Sequence, residues 1–211
     1  EALLRRLGKA PLVDDDLPAL PEGWCWVRLP QIGELARGKS KHRPRNAPFL
    51  YNGPYPFIQT GDIRQADGFI TQYSQTYSEA GLKQSRLWKK GTLCITIAAN
   101  IAETAILDFD ACFPDSVVGF VAVDQRIDTR FIQYFIKTAK EDLDRYAPAT
   151  AQKNINLDIL QKLLIPLPPS SEQIRIVDEV ERRLSVVAEV EAVVAALLAR
   201  SARLRQAILK Q

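Results

Sequence analysis

Five cations stand at alternate positions in one short stretch of this 211-residue chain: Arg37, Lys39, Lys41, Arg43 and Arg45. Gly38, Ser40, His42 and Pro44 lie between them, and no acid interrupts the run. Small and polar spacers argue against a helix and predict a mobile, extended loop. Such a loop can lay several positive charges along a phosphate backbone, a sequence-independent and salt-dependent attraction. Elsewhere, polar sets have the side chains that suit base edges. They are Gln59-Thr60-Gly61-Asp62, Lys83-Gln84-Ser85-Arg86, Ala98-Ala99-Asn100 and Thr150-Ala151-Gln152-Lys153-Asn154. Gln, Asn, Lys and Arg offer the donors and acceptors that distinguish adenine and guanine in the major groove. The five loop cations are therefore candidates for phosphate binding. Lys83, Gln84, Arg86, Asn100, Gln152, Lys153 and Asn154 are candidates to approach bases, with Thr60 among the DNA-binding candidates.

Catalytic constellations are missing. There is no Gly-rich phosphate loop, no dinucleotide fingerprint and no Gly-x-Ser-x-Gly. His42 is the single imidazole, so a His-based triad would have to run through it. Asn52-Gly53-Pro54-Tyr55 superficially looks like an amino-methyltransferase motif, but no nucleotide-binding βα unit precedes it. Pro114-Asp115 with Asp124-Gln125-Arg126 looks like a nuclease pattern, but carries Arg where Lys is needed. Cys25, Cys94 and Cys112 are too far apart to suggest a metal pair or a disulfide framework, which fits a reducing cytoplasm. The sequence thus predicts no catalytic residue and no metal site. No apolar run is long enough to cross a bilayer, and no charged-then-apolar leader opens the chain, so a cytoplasmic location without membrane attachment is expected. The net charge of +3 is small, so the argument rests on how charge is distributed.

The elements that must position these residues follow from periodicity. Residues 1–19 read as a short helix and linker, 20–169 as a β-rich mixed domain, and 170–211 as one long helix. Short β-branched runs such as Leu93–Ile97 and Val117–Val123 between turn signals read as buried strands. Thr129–Tyr146 predicts a helix with Phe131, Tyr134, Phe135, Thr138, Leu143 and Tyr146 near one face, and Ile155–Leu163 a shorter one. Ser170 with Gln173 predicts a capping box. Beyond it there is neither Pro nor Gly, and apolar residues recur at spacings of three and four through Val180, Leu184, Val187, Val190, Val194 and Leu197. So long a rod calls for another helix, from a second copy or from a missing part of the chain, and Val180, Leu184, Val187, Val194 and Leu197 are the candidate dimerisation residues. The fold class expected is α+β: a β-rich mixed domain followed by a long C-terminal coiled-coil helix.

Several segments, in order, resemble the specificity subunit of Type I restriction–modification systems. Leu20–Leu29 resembles the opening of a target-recognition domain in that family, and Phe57-Ile58-Gln59-Thr60-Gly61-Asp62-Ile63 its Ile-x-Thr-Gly-Asp-Ile element. Gly91–Ala102 is similar to its central strand and turn, with Ala or Asn where Gly is common. Ala111–Phe120 resembles the segment running into Val-Gly-Phe. Ala151–Asn156 and Ile165–Gln173 resemble the run into the spacer helix. The resemblance implies a non-catalytic reader of one half of a bipartite duplex DNA site. It also implies modification (methyltransferase) subunits as partners, carrying S-adenosylmethionine, and a restriction subunit working with ATP and Mg. No cofactor is expected on this chain. Two recognition domains and two helices make a full subunit, so one of each implies a half-subunit or a fragment. Glu1 in place of Met, and an end within a helical pattern, suit that expectation. A half-subunit implies a homodimer and a palindromic, interrupted site. A reading of a different class is a non-catalytic assembly scaffold that binds protein through its globular part and helix.

Overall fold

A computed structural model describes residues 17, 19–98, 102–139 and 157–208. The chain falls into two units, 1–173 and 174–211. In the first, β1 (Cys25–Arg28) pairs antiparallel with β9 (Leu164–Leu167), so the two ends of the domain close on each other. Pro166 is tolerated in β9 because this is a two-stranded ribbon with a free edge. After the turn α1 (Leu29–Ile32), β2 (Gly33–Arg37) enters a five-stranded sheet. Its remaining members are β4 (Phe69–Ile70), β6 (Leu93–Thr96), β7 (Thr104–Leu107) and β8 (Val117–Ala122), in the order β2-β8-β6-β7-β4. All pairings are antiparallel except β4 with β7. A separate ribbon joins β3 (Tyr51–Phe57) to β5 (Gln75–Tyr77), with a bulge between Tyr51 and Tyr55. Short helices α2 (Thr60–Gln65) and α3 (Glu79–Lys83) follow β3 and β5.

The largest buried side chains explain the packing. Trp88 stacks on Phe113 at 4.8 Å between ring centres, among Ile58, Ile63, Ile70, Cys94 and Val117. Gly119 of β8 faces this stack, and a Cβ there would lie 2.7 Å from the Trp88 ring and 2.8 Å from that of Phe113. A second cluster holds Phe57 stacked on Tyr77 at 3.9 Å, with Cys112 beside them. Burial pushes the Cys94 and Cys112 thiols up, so both behave as apolar core groups.

The α+β architecture with a long C-terminal helix agrees with expectation, while several local features differ. Helix α4 (Thr129–Thr138) buries Phe131, Ile132, Gln133 and Ile136, whereas Thr138 is exposed. The inward face is rotated because Gln133 is drawn to the sheet, where its Nε2 donates to the carbonyls of Gly68 and Thr104. The predicted residues of this helix from 140 onward lie outside the described residues. Helix α5 spans Leu157–Lys162. Helix α6 runs unbroken from Ser170 to Ile208. Pro169, not Ser170, accepts its first backbone hydrogen bonds, from the amides of Glu172 and Gln173. The Gln173 side chain makes no capping box. It is buried, donates to the Pro168 carbonyl and accepts from the Asp128 amide, two groups that a reach back to Ser170 would leave unsatisfied.

In α6, Leu184, Val187, Val194 and Leu197 are each about half exposed, as are Val186, Val190 and Val193, and Leu198 is more exposed still. Val180 is partly buried. Among the described residues no helix is long and apolar enough to cross a membrane.

Candidate nucleic-acid interface

The cationic run continues β2 and follows its extended backbone. Strand pairing with β8 carries as far as Arg37 opposite Val118, and the Gly38 and Lys39 amides then donate to the carbonyls of Val117 and Phe113. Extended backbone turns alternate side chains to opposite sides. Gly38 and Ser40 are accordingly buried, and Arg37, Lys39 and Lys41 are exposed. The alternation seen in the sequence thus becomes three cations on one side.

The predicted mobile loop is instead tied at several points. The Ser85 hydroxyl donates to the Lys39 carbonyl at 2.8 Å, and the His42 amide donates to Gln84 Oε1 at 2.8 Å. Ser40 and the buried Tyr77 place their hydroxyls 3.4 Å apart. Arg43 turns back on its own segment, donating from Nη1 to the carbonyls of Ser40 and His42. The reason is that Gly38 and Ser40 sit inside the domain, so the backbone polar groups around them need partners.

These ties bring the second predicted set, Lys83 to Arg86, against the first, but its members differ in freedom. Gln84 and Ser85 brace the loop. Arg86 lies 3.8 Å over the Trp88 ring and forms a two-pronged ion pair with Glu34, with Nη2 to Oε2 at 2.8 Å. That guanidinium holds the Glu34 carboxyl below its ordinary range. Arg45 is likewise paired, with Nη2 at 2.8–2.9 Å from both oxygens of Asp115. Arg37, Lys39, Lys41 and Lys83 remain exposed, and among the described residues none has a carboxylate within ion-pair distance. They form the uncompensated part of the cationic surface.

Thr60 is half-buried at the start of α2. Asn100, Gln152, Lys153 and Asn154 lie outside the described residues. Among the described residues no cluster of His, Cys, Asp and Glu could hold a metal ion. One polar segment escaped the sequence reading: Thr71-Gln72-Tyr73-Ser74-Gln75-Thr76 between β4 and the end of β5, of which residues 71–75 are all exposed. Its signal was six consecutive uncharged side chains with hydrogen-bonding groups.

Residues 21–185 match the family model of the Type I restriction modification DNA specificity domain. The chain belongs to this family. Among relatives of this specificity family, it is 27% identical over 199 residues to the EcoDI specificity subunit of Escherichia coli, covering 92% of this chain and 42% of that protein. It is 29% identical over 139 residues to a putative type I restriction enzyme specificity subunit of Haemophilus influenzae, covering 62% of this chain and 33% of the other. The fold is shared with a solved structure described as showing complex assembly and conformational transition of the type I R-M system. There the TM-score is 0.76 at 23% identity, over 99% of this chain and 50% of that one. It is shared too with the HsdS subunit of Thermoanaerobacter tengcongensis, with a TM-score of 0.64 at 23% identity, over 89% of this chain and 43% of that one. The chain therefore spans half or less of the length of each of these proteins.

Proposed function

We propose that this chain is a non-catalytic reader of duplex DNA, the specificity subunit or half-subunit that recognises one half of a bipartite site. It positions methyltransferase subunits, which bring S-adenosylmethionine, while ATP and Mg belong to the restriction subunit and this chain binds no cofactor. The exposed apolar side of α6 pairs two copies when no second recognition half is present, and the assembly works in the cytoplasm.

The observation that carries this reading is the one-sided display of Arg37, Lys39 and Lys41, together with exposed Lys83, with no carboxylate in ion-pair distance among the described residues, on a domain of the DNA specificity family. Backbone phosphates are the natural counter-charge for such a surface, and each contact releases condensed counterions. The test is duplex binding by fluorescence anisotropy across a salt series. Replacing Arg37, Lys39, Lys41 and Lys83 together by Ala is expected to weaken binding to every sequence. The slope of log K against log salt should flatten by about 3 to 4, at about 0.9 per lost contact. An unchanged slope rejects the phosphate assignment. Salt-independent capture of protein partners without any duplex binding would instead favour the scaffold reading.

A further inference from the structure

The uncharged segment missed in the sequence lines two adjoining grooves. The larger, of about 650 Å³, is bordered by Gln65, Asp67, Phe69 and residues 71–74. The smaller, of about 190 Å³, is bordered by Tyr51, Asn52 and residues 73–76. Tyr73 and Ser74 belong to both, so the two are continuous. The smaller groove is tied to the cationic segment through Tyr51, whose hydroxyl donates to the Arg45 carbonyl at 2.6 Å. Tyr51 is also paired opposite Tyr77, whose hydroxyl meets Ser40 of the cationic run.

We propose that the Thr71–Thr76 segment, with Gln72 and Gln75 as its principal readers, determines sequence specificity by contacting base edges in the major groove. This rests on the DNA-reading function proposed above and assigns it to a named element. Three features support it. The segment carries hydrogen-bonding groups, two Gln amides among them, that can pair with base edges, and no cation that would draw it to phosphate instead. It is held in place: Gln75 lies in β5 opposite Phe57, its Oε1 accepts from Gln59 Nε2 at 2.6 Å, and the Tyr73 ring packs edge-on against Phe109 at 5.3 Å. Among the described residues the Gln75 amide nitrogen has no protein acceptor, so its protons are available to a base acceptor. Finally, a two-stranded ribbon fits the major groove, and the seven residues of β3 extend about 20 Å, the rise of about six base pairs.

The charge distribution sets the orientation. Phosphates are drawn to Arg37, Lys39, Lys41 and Lys83. The far end of the groove carries Asp62 and Asp67, which repel phosphate but accept from a cytosine amino group. The exposed rings of Phe69 and Tyr73 offer apolar contact to a thymine methyl.

The test is selection from a randomised duplex pool by the whole chain and by its Gln72→Ala/Gln75→Ala variant, with the salt dependence of random-duplex binding measured alongside. Both side chains are exposed, so random-duplex affinity and salt slope should stay within about twofold of the parent, which also reports that the variant is folded. Discrimination at one or two base positions should fall by about tenfold or more. An identical selected motif with undiminished enrichment overturns this assignment alone. Loss of random-duplex binding in the variant overturns it too, by placing these amides in phosphate contact or in folding. A parent chain that binds without enriching any sequence overturns both this assignment and the function on which it rests.

Discussion

The domain formed by residues 20–173 and the helix of residues 174–208 treat apolar side chains in opposite ways. The domain buries Trp88, Phe113, Phe120, Tyr77 and a set of Ile and Leu to nearly zero exposure. The helix leaves Leu184, Val186, Val187, Val190, Val193, Val194, Leu197 and Leu198 about half exposed or more. At about 25 cal/mol per Å² of apolar surface removed from water, the first arrangement supports a fold by itself. The second leaves a run of large apolar side chains open to solvent, and contiguous exposed apolar surface marks contact sites. One region encloses an apolar core of its own. The other depends, in the proposed pairing, on a second copy to cover its apolar side chains.

The largest expected effect tests the self-sufficiency of the domain. Trp88→Ala removes the stack on Phe113 and the ring beneath Arg86, and is expected to destabilise the domain by about 3–5 kcal/mol in urea denaturation. Self-association measured by sedimentation should be little changed, because the helix is a separate unit. A parallel loss of both would break the contrast.

The next variant probes the other half of it. Leu184→Asp with Val194→Asp places two charges per copy in the proposed helix seam. Self-association is expected to weaken by at least about 100-fold, or about 2.7 kcal/mol, while the denaturation midpoint of the domain holds. A chain that is monomeric at high concentration before any substitution would remove the dimer from the proposal.

The smallest effect sharpens the account of the cationic surface. Arg86→Ala should let the Glu34 carboxyl rise to its ordinary range, followed by NMR titration. Glu34 ionises more readily folded than unfolded. Its contribution to stability is therefore present above the unfolded value and is lost as pH falls through the lower folded one. The variant should lose that acid-side dependence. Because the pair is partly exposed and screened by solvent, the change in stability should be below about 1 kcal/mol.

Much of the architecture was legible. Short β-branched runs marked β6 and β8, and the alternation from Arg37 to Arg45 marked the cationic surface. The tethering of that run was not legible, because Ser85 and Gln84 lie more than forty residues away and only folding brings them to Lys39 and His42. The burial of Gln133 and Gln173 was missed for a related reason. A Gln reads as surface or cap until the tertiary structure supplies unsatisfied carbonyls and amides for it to meet.

What the amino-acid order determined alone is local. Spacings of three and four with no Pro or Gly after Ser170 specify a long helix, because helical hydrogen bonds and faces depend only on neighbours a few positions away. The cations of the loop were equally plain as residue types. Which of them keep their charge uncompensated was decided by tertiary structure. Arg45 meets Asp115 across 70 residues and Arg86 meets Glu34 across 52, while Lys39 and Lys41 meet no acid among the described residues. Coulomb attraction acts through space, and separation along the chain does not reveal it.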